Sequence, residues 1–314
     1  DEKRIMAFNS GDDIQGFYIV KAMNLKTSSN NKKYLDFTFA DKTGEINGKL
    51  WDVKGDDEKK YSPGAIVKLR GTVTLWQSQL QLKIVKIRLT EEADVLDLKE
   101  IVPSAPLEAD DMFNQIMGYV EAMKDEDIKH ITEKIVLEYK ERLMYAPAAK
   151  SNHHAIRSGL MYHVLRMLQS GEKLCEVYGN LDRDLLFAGV ILHDIEKINE
   201  MVSDELGIVS TYSVEGQMLG HIIMGIRKID QVAKELGVDE EKSMLLQHLI
   251  LTHHYEPEFG SPKKPMIPEG EILHYLDIID ARIYDMDKAY KSMENGAFSD
   301  PIWSMDRRRI YKKL

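Results

Sequence analysis

The residues of this chain best suited to chemistry are histidines and aspartates spread over five successive helical stretches, each set beside apolar neighbours. His193-Asp194 closes the run 185–197 (LLFAGVILHDIEK), whose apolar residues put the pair against a core. Burying an imidazole and a carboxylate side by side is costly unless each finds a metal or a charged hydrogen-bond partner. His163 falls among Leu160, Val164, Leu165 and Leu168, and His221 follows Gly220 beside Leu219, Ile222, Ile226 and Ile229. The apolar helix from Met244 to Thr252 ends in His253-His254. In 271–282 (EILHYLDIIDAR), His274, Asp277 and Asp280 recur three apart on one helical side. A lone histidine on such a face is more often a satisfied core residue than a ligand. Five helices all turning His or Asp inward are different, because uncompensated polar burial would unfold a bundle.

Imidazole and carboxylate without thiolate select borderline or hard cations: Mn, Fe, Co, Ni, Zn or Mg. The ligands outnumber the needs of one ion. His163, His193, Asp194 and Asp277 can fill one site, and His221 with His253 or His254 makes a second, with Asp194 bridging. Two ions at bridging distance hold a hydroxide at neutral pH and clamp the oxygens of a phosphoryl centre during in-line attack.

The elements that must position these groups are helical from Asp110 onward, with amphipathic spacing over 112–123 and 128–144. Before them, from Gly16 to about Leu89, the pattern is β. Leu35, Phe37 and Phe39 alternate with Tyr34, Asp36 and Thr38; Ile46, Gly48 and Leu50 alternate with Asn47, Lys49 and Trp51. In the last strand Leu80, Leu82 and Ile84 point inward, and a register shift near Val85 turns Lys86 and Arg88 out. Five short strands with a polar-basic outer face suit a closed barrel of the OB type. The expected organisation is therefore multi-domain: an N-terminal all-β barrel over 1–92, a linker over 93–108, and an all-α bundle over 109–314. The outer barrel face carries Tyr34, Trp51, Lys49, Lys68 and Arg70, with Trp76 near a strand end. Rings that stack on bases beside cations that follow phosphates make a platform for single-stranded nucleic acid.

Net charge is −10, but it is uneven. Residues 1–92 hold 16 Lys+Arg against 13 Asp+Glu, and the remainder holds 26 against 39. Residues 1–92 are thus +3 and residues 93–314 are −13, an acidity that bound divalent cations would partly offset. One cysteine, Cys175, excludes an internal disulfide framework and fits a reducing compartment. The absence of a long apolar run and of a signal-peptide pattern argues against a membrane protein and for a cytoplasmic one.

The order His…His-Asp…His…His…Asp resembles the HD-domain metal-dependent phosphohydrolase superfamily. The barrel followed by AAKSNHHAIRSGLMYH, VEGQMLGHI, THHYEPEFGSPKKP and LHYLDIIDA is similar, over essentially the whole chain, to the YhaM-type 3′-to-5′ exoribonuclease family. That resemblance implies stepwise removal of nucleotides from a 3′ end with a divalent metal, typically manganese. It implies ligands at His163, His193, Asp194, His221, His253 and Asp277, with His254 and Asp280 less closely matched. It also implies that Lys197 meets a scissile phosphate or the nucleophile, and that Lys150, His153 and His154 neutralise a phosphate or support the site. Two positions depart from the family pattern. Glu196 stands where HDxGK has glycine, adding a charge that could repel phosphate or tighten metal, and Tyr255 stands after His253-His254 where glycine is usual and could stack on a base.

The expected activity is a two-metal 3′-to-5′ exonuclease on single-stranded RNA, or also DNA, releasing nucleoside 5′-monophosphates, with Asp194 and Lys197 at the reacting centre. One rival is an HD hydrolase of small or cyclic nucleotides whose barrel only regulates. Another, favoured by Glu196 alone, is a non-catalytic nucleic-acid-binding protein. Assembly as a homo-oligomer is left open. The basic tail 307–313 (RRRIYKK) reads as a solvated terminus, with nucleic acid or a neighbouring subunit as the sharper alternatives.

Overall fold

The computed structural model describes residues 3–51, 53–77, 79–151 and 153–314, with only the backbone at residue 99. The chain divides into two compact units, residues 1–104 with 208–210, and residues 105–207 with 211–314.

In the first unit β1 (Asp13–Thr27), β2 (Lys33–Asp41), β3 (Gly44–Leu50), β4 (Ile66–Trp76) and β5 (Gln79–Leu89) close a barrel in the order β1-β2-β3-β5-β4. β3 and β5 run parallel, and the other neighbours are antiparallel. The period-2 pattern fills the interior: Leu35, Phe37, Phe39, Val67, Leu69, Val73 and Leu82 are buried, with Phe37 and Phe39 stacked at 4.9 Å. Arg70 pairs with Lys86 but Gly71 with Ile84, so Val85 is the extra residue of a bulge and faces solvent. The register shift expected there is borne out. A helical turn, Leu98–Ile101, belongs to this unit. Glu100 is ion-paired to Arg4 at 3.1 Å and also to Lys42, and Ile101 and Val102 are buried. The first part of the stretch read as a linker is thus packed structure.

The second unit is built from α1 (Ala109–Glu121), α2 (Glu126–Leu143), α3 (Gly159–Val177), α4 (Arg183–Leu192), α5 (Val214–Leu236), α6 (Glu240–Thr252) and α7 (Pro268–Lys291). Two short strands, Met201–Ser203 and Val209–Tyr212, fall between α4 and α5 in the chain, and the other regular elements from Ala109 onward are helical, as expected. α4 is the central element. Its residues from Leu185 to Leu192 are all buried, as befits a helix apolar on every side. Gly189 lets α6 approach closely, since a Cβ there would lie 2.6 Å from Leu249 Cδ1. Asp182, Asp125, Ser213 and Asp239 cap α4, α2, α5 and α6 through side-chain oxygens. Among the described residues no helix is long and apolar enough to cross a membrane.

Candidate metal centre

Helix ends present the central ligands. His193 and His253 sit just past the last turns of α4 and α6, where carbonyl groups lack intrahelical partners. Each ring takes up one such carbonyl: His193 Nδ1 donates to Val190 O at 2.8 Å, and His253 Nδ1 to Ile250 O at 2.7 Å. Both Nε2 atoms are thereby left as bare acceptors facing the pocket. His221 enters by another device. α5 kinks at Gly220, whose φ of 72° and ψ of 159° suit essentially glycine alone, and the kink turns the next side chain inward. His163 comes from the first turns of α3, and Asp277 from α7.

These groups converge. His193 Nε2 and His221 Nε2 each lie 3.3 Å from an Asp194 oxygen, and His253 Nε2 lies 3.7 Å from Asp194 Oδ1. His163 Nε2 is 3.2 Å from Asp277 Oδ1. Asp194, His221, His253 and His254 offer ligand atoms all within 4.8 Å of one another, and so do His163, His193 and Asp277. Among the described residues, the buried side-chain atoms with no hydrogen-bond partner are Nε2 of His193, His221 and His253, Asp194 Oδ1, and Nδ1 of His154. Four of those five line the pocket around Asp194. A folded core does not leave four polar atoms unpaired at one point without something to satisfy them, and a divalent cation fits this donor set.

Charge supports the same fit. Burial opposes ionisation of Asp194, but Lys197 and His193 outweigh it and hold the carboxyl well below its usual range. Asp277 is likewise pushed down, His163 overcoming burial. Burial and the neighbouring imidazoles keep His253 neutral, which is the ligating form. His163 is the exception: burial would lower it, yet Asp277 and Asp280 raise it to about 9, so a cation binding there must displace its proton. Lys197 Nζ lies 2.7 Å from Asp194 Oδ2, on the carboxylate around which the imidazoles gather.

Carboxylates orient the remaining rings. Asp280 Oδ2 accepts from His163 Nδ1 and His154 Nε2, each at 2.7 Å, while Arg166 holds Oδ1 at 2.5 Å. Asp280 therefore aims a ligand rather than facing the pocket. Glu200 does the same for His221, with both oxygens 3.2 Å from Nδ1. Sequence reading missed Glu200; the available signal was an acid in the first helical turn after HDIEK.

Other residues depart from expectation. His154 is fully buried, its ring centroid 4.0 Å from that of Tyr284, and lowered to about 4 chiefly by burial. Enclosed and held by the carboxylate that also holds His163, it fits the supporting role, the second of the two expected of it, rather than contact with a phosphate. Glu196 adopts an ordinary right-handed helical backbone and points away from the ligands, accepting from Tyr139 OH at 2.6 Å and Asn199 Nδ2 at 2.7 Å. No glycine is needed there, and both carboxylate oxygens are engaged by Tyr139 and Asn199. Tyr255 does take a glycine-like φ of 67°, and its ring stacks on His274 at 4.5 Å. His274 Nδ1 donates to His253 O at 2.8 Å, and His274 belongs to neither group of converging ligand atoms. His153 is half-buried, its ring 6.3 Å from that of His163, and Lys150 is exposed.

On the barrel, Tyr34 and Trp51 lie 4.6 Å apart, with Lys49 over the Tyr34 ring. Trp76 is exposed at the β4–β5 hairpin. Lys68 and Arg70 do not join that face. β4 pairs with β1 and β5, which puts them opposite Phe17 and Gln15, and Lys68 is 3.7 Å from Asp94.

A closed five-stranded barrel, joined in one chain to a helical bundle that converges imidazoles and carboxylates on His193-Asp194, defines an OB-fold and HD-domain metal-dependent phosphohydrolase. The family descriptions agree: an HD domain matches residues 160–282, and an OB-fold nucleic acid binding domain matches residues 19–90. The chain is 38% identical over 312 residues to the 3′-5′ exoribonuclease YhaM of Geobacillus sp. (strain WCH70), covering 99% of this chain and 95% of that protein. It is 39% identical over 311 residues to the Bacillus subtilis (strain 168) protein of the same name, covering 99% and 98%. The chain belongs to the YhaM family of 3′-5′ exoribonucleases.

Proposed function

We propose that this chain shortens single-stranded RNA from its 3′ end, releasing nucleoside 5′-monophosphates, with two divalent ions, manganese foremost, at the HD centre. The observation that carries this reading is the cluster of unpaired Nε2 and Oδ1 atoms around Asp194. His163, His193, Asp194 and Asp277 would hold one ion, and Asp194, His221, His253 and His254 the other. Such ions supply Lewis acidity and a nucleophile at neutral pH. Asp280 and Glu200 fix which nitrogen His163 and His221 present. Lys197, its positive charge stabilised by Asp194 against the cost of burial, offsets charge gathered at a scissile phosphate. His153, Lys150 and Tyr255 are assigned to the approaching strand. Tyr34, Trp51 and Trp76 of the barrel are assigned to stacking on bases further along it. The single cysteine suits work in the cytoplasm.

The test uses full-length protein, manganese, and 20-mer oligoribonucleotides labelled at either end. A 5′ label should yield a descending ladder, and a 3′ label should leave at once as mononucleotide. Internal cleavage, or no shortening with any of Mn, Mg, Co, Ni or Zn, would overturn the reading.

A further inference from the structure

The basic tail is not a loose terminus. Ser299 N donates to Ile310 O and Ile302 N to Arg308 O, each at 2.9 Å, closing residues 297–312 into a hairpin. Its own Met305 and Ile310 are buried, and Lys312 Nζ caps α7 through the carbonyls of Tyr290 and Met293 at 2.8 and 2.7 Å. The hairpin is also tied to the helix that bears Asp277 and Asp280. Ser304 Oγ donates to Asp285 at 2.6 Å, and Arg282 lies 3.3 Å from Asp306. Asp285 is eight residues beyond Asp277, roughly 12 Å along a helix.

What this tethered element displays is unusual for its surroundings. Phe298, Trp303 and Tyr311 are 60%, 75% and 45% exposed, and Arg307, Arg308 and Arg309 are exposed between them. The Arg307 guanidinium lies 4.4 Å over the Trp303 ring, and Arg309 lies 5.7 Å over Phe298. Asp306 and Arg307 adopt φ of 56° and 57°, so the turn puts two residues with side chains where Asn-Gly would be easier. Backbone strain and exposed rings both cost stability, and a binding surface is what such features commonly serve. Residues 93–314 are acidic overall, so a cluster of three arginines stands out there as a place for a polyanion.

We infer that this C-terminal hairpin is a second contact for the single-stranded RNA, taking nucleotides upstream of the 3′ end held at the metal centre. The inference rests on the exonuclease reading for the identity of the strand. Rings and guanidinium planes stack on bases, and the guanidinium N–H groups reach phosphates. The test measures binding of full-length protein, metal in place, to a fluorescent 20-mer oligoribonucleotide whose 3′-terminal phosphorothioates slow hydrolysis. Trp303→Ala should weaken binding about tenfold, the usual scale for one stacked base. Arg307→Gln should weaken it too, and lower the slope of log K against log salt by about 0.7. Arg307→Lys should restore the slope but not the full affinity. Unchanged affinity and slope in folded variants would overturn the inference. So would altered subunit assembly with RNA affinity intact, which would make the hairpin a subunit interface. A protein that binds through this hairpin but never shortens RNA would sink the exonuclease reading and leave the contact standing.

Discussion

Removing the Glu200 side chain is expected to weaken metal binding at a residue that never touches the metal. Its two oxygens both lie 3.2 Å from His221 Nδ1, and Oε1 also accepts the His221 backbone N–H at 3.1 Å. Burial opposes its ionisation, but His221 outweighs burial and holds the carboxyl below its usual range, so it is an anion at neutral pH. Without it, no carboxylate fixes the tautomer that leaves Nε2 free, and the ring loses its orientation beside Asp194. Loss of such a partner typically costs about 10–100-fold in metal affinity. That is about 1.4–2.7 kcal/mol. Calorimetric titration of manganese into chelator-stripped full-length protein should show this loss in Glu200→Ala. Glu200→Gln, which keeps an acceptor, should lose less. If folded Glu200→Ala bound manganese as wild type does, the claim that Glu200 orients His221 would be refuted.

Stripping the metal should lower the melting temperature of the helical unit; an ion at 100 times its Kd contributes about 2.7 kcal/mol. Calorimetry with manganese and then with chelator reads the shift, and coincident curves would count against a built site. Asp194→Ala should abolish RNA shortening and also leave the Lys197 ammonium buried without its carboxylate, a loss of about 3–5 kcal/mol. Urea unfolding in chelator checks it; a variant as stable as wild type would show that Lys197 does not depend on the pair. Asp125 caps α2 by accepting from Asp127 N and Ile128 N at 3.0 and 3.1 Å, so Asp125→Ala should cost about 1 kcal/mol. Burial raises its pKa, but Lys242 and the cap bonds outweigh that and lower it below the ordinary 3.8. Its contribution is therefore complete above that value and lost as pH falls through the folded pKa. Urea midpoints of the two proteins should differ at pH 7 and converge in acid, and a gap that persisted would mean the ionised cap is not responsible.

The local periods of the chain already determined most of the scaffold. Alternation about Phe37 and Phe39 placed the barrel interior, because a strand turns successive side chains to opposite faces. The same rule exposed the bulge at Val85, where alternation fails. The ligand types were legible as well, since an imidazole or carboxylate amid apolar neighbours needs a partner wherever the chain puts it.

Tertiary structure decided which atom of each group faces the pocket. For His193 and His253 the second nitrogen finds a carbonyl three residues back, a local consequence of a helix end. For His221 and His163 it finds Glu200 and Asp280, 21 and 117 residues away, and no local pattern encodes such distances. The same holds for Glu196, whose direction is set by Tyr139 57 residues earlier. It holds too for Lys68 and Arg70, which alternation turned outward but only strand order put beside β1. Side-chain type and spacing are properties of the chain. The orientation of a ring is set by the groups that folding brings against it.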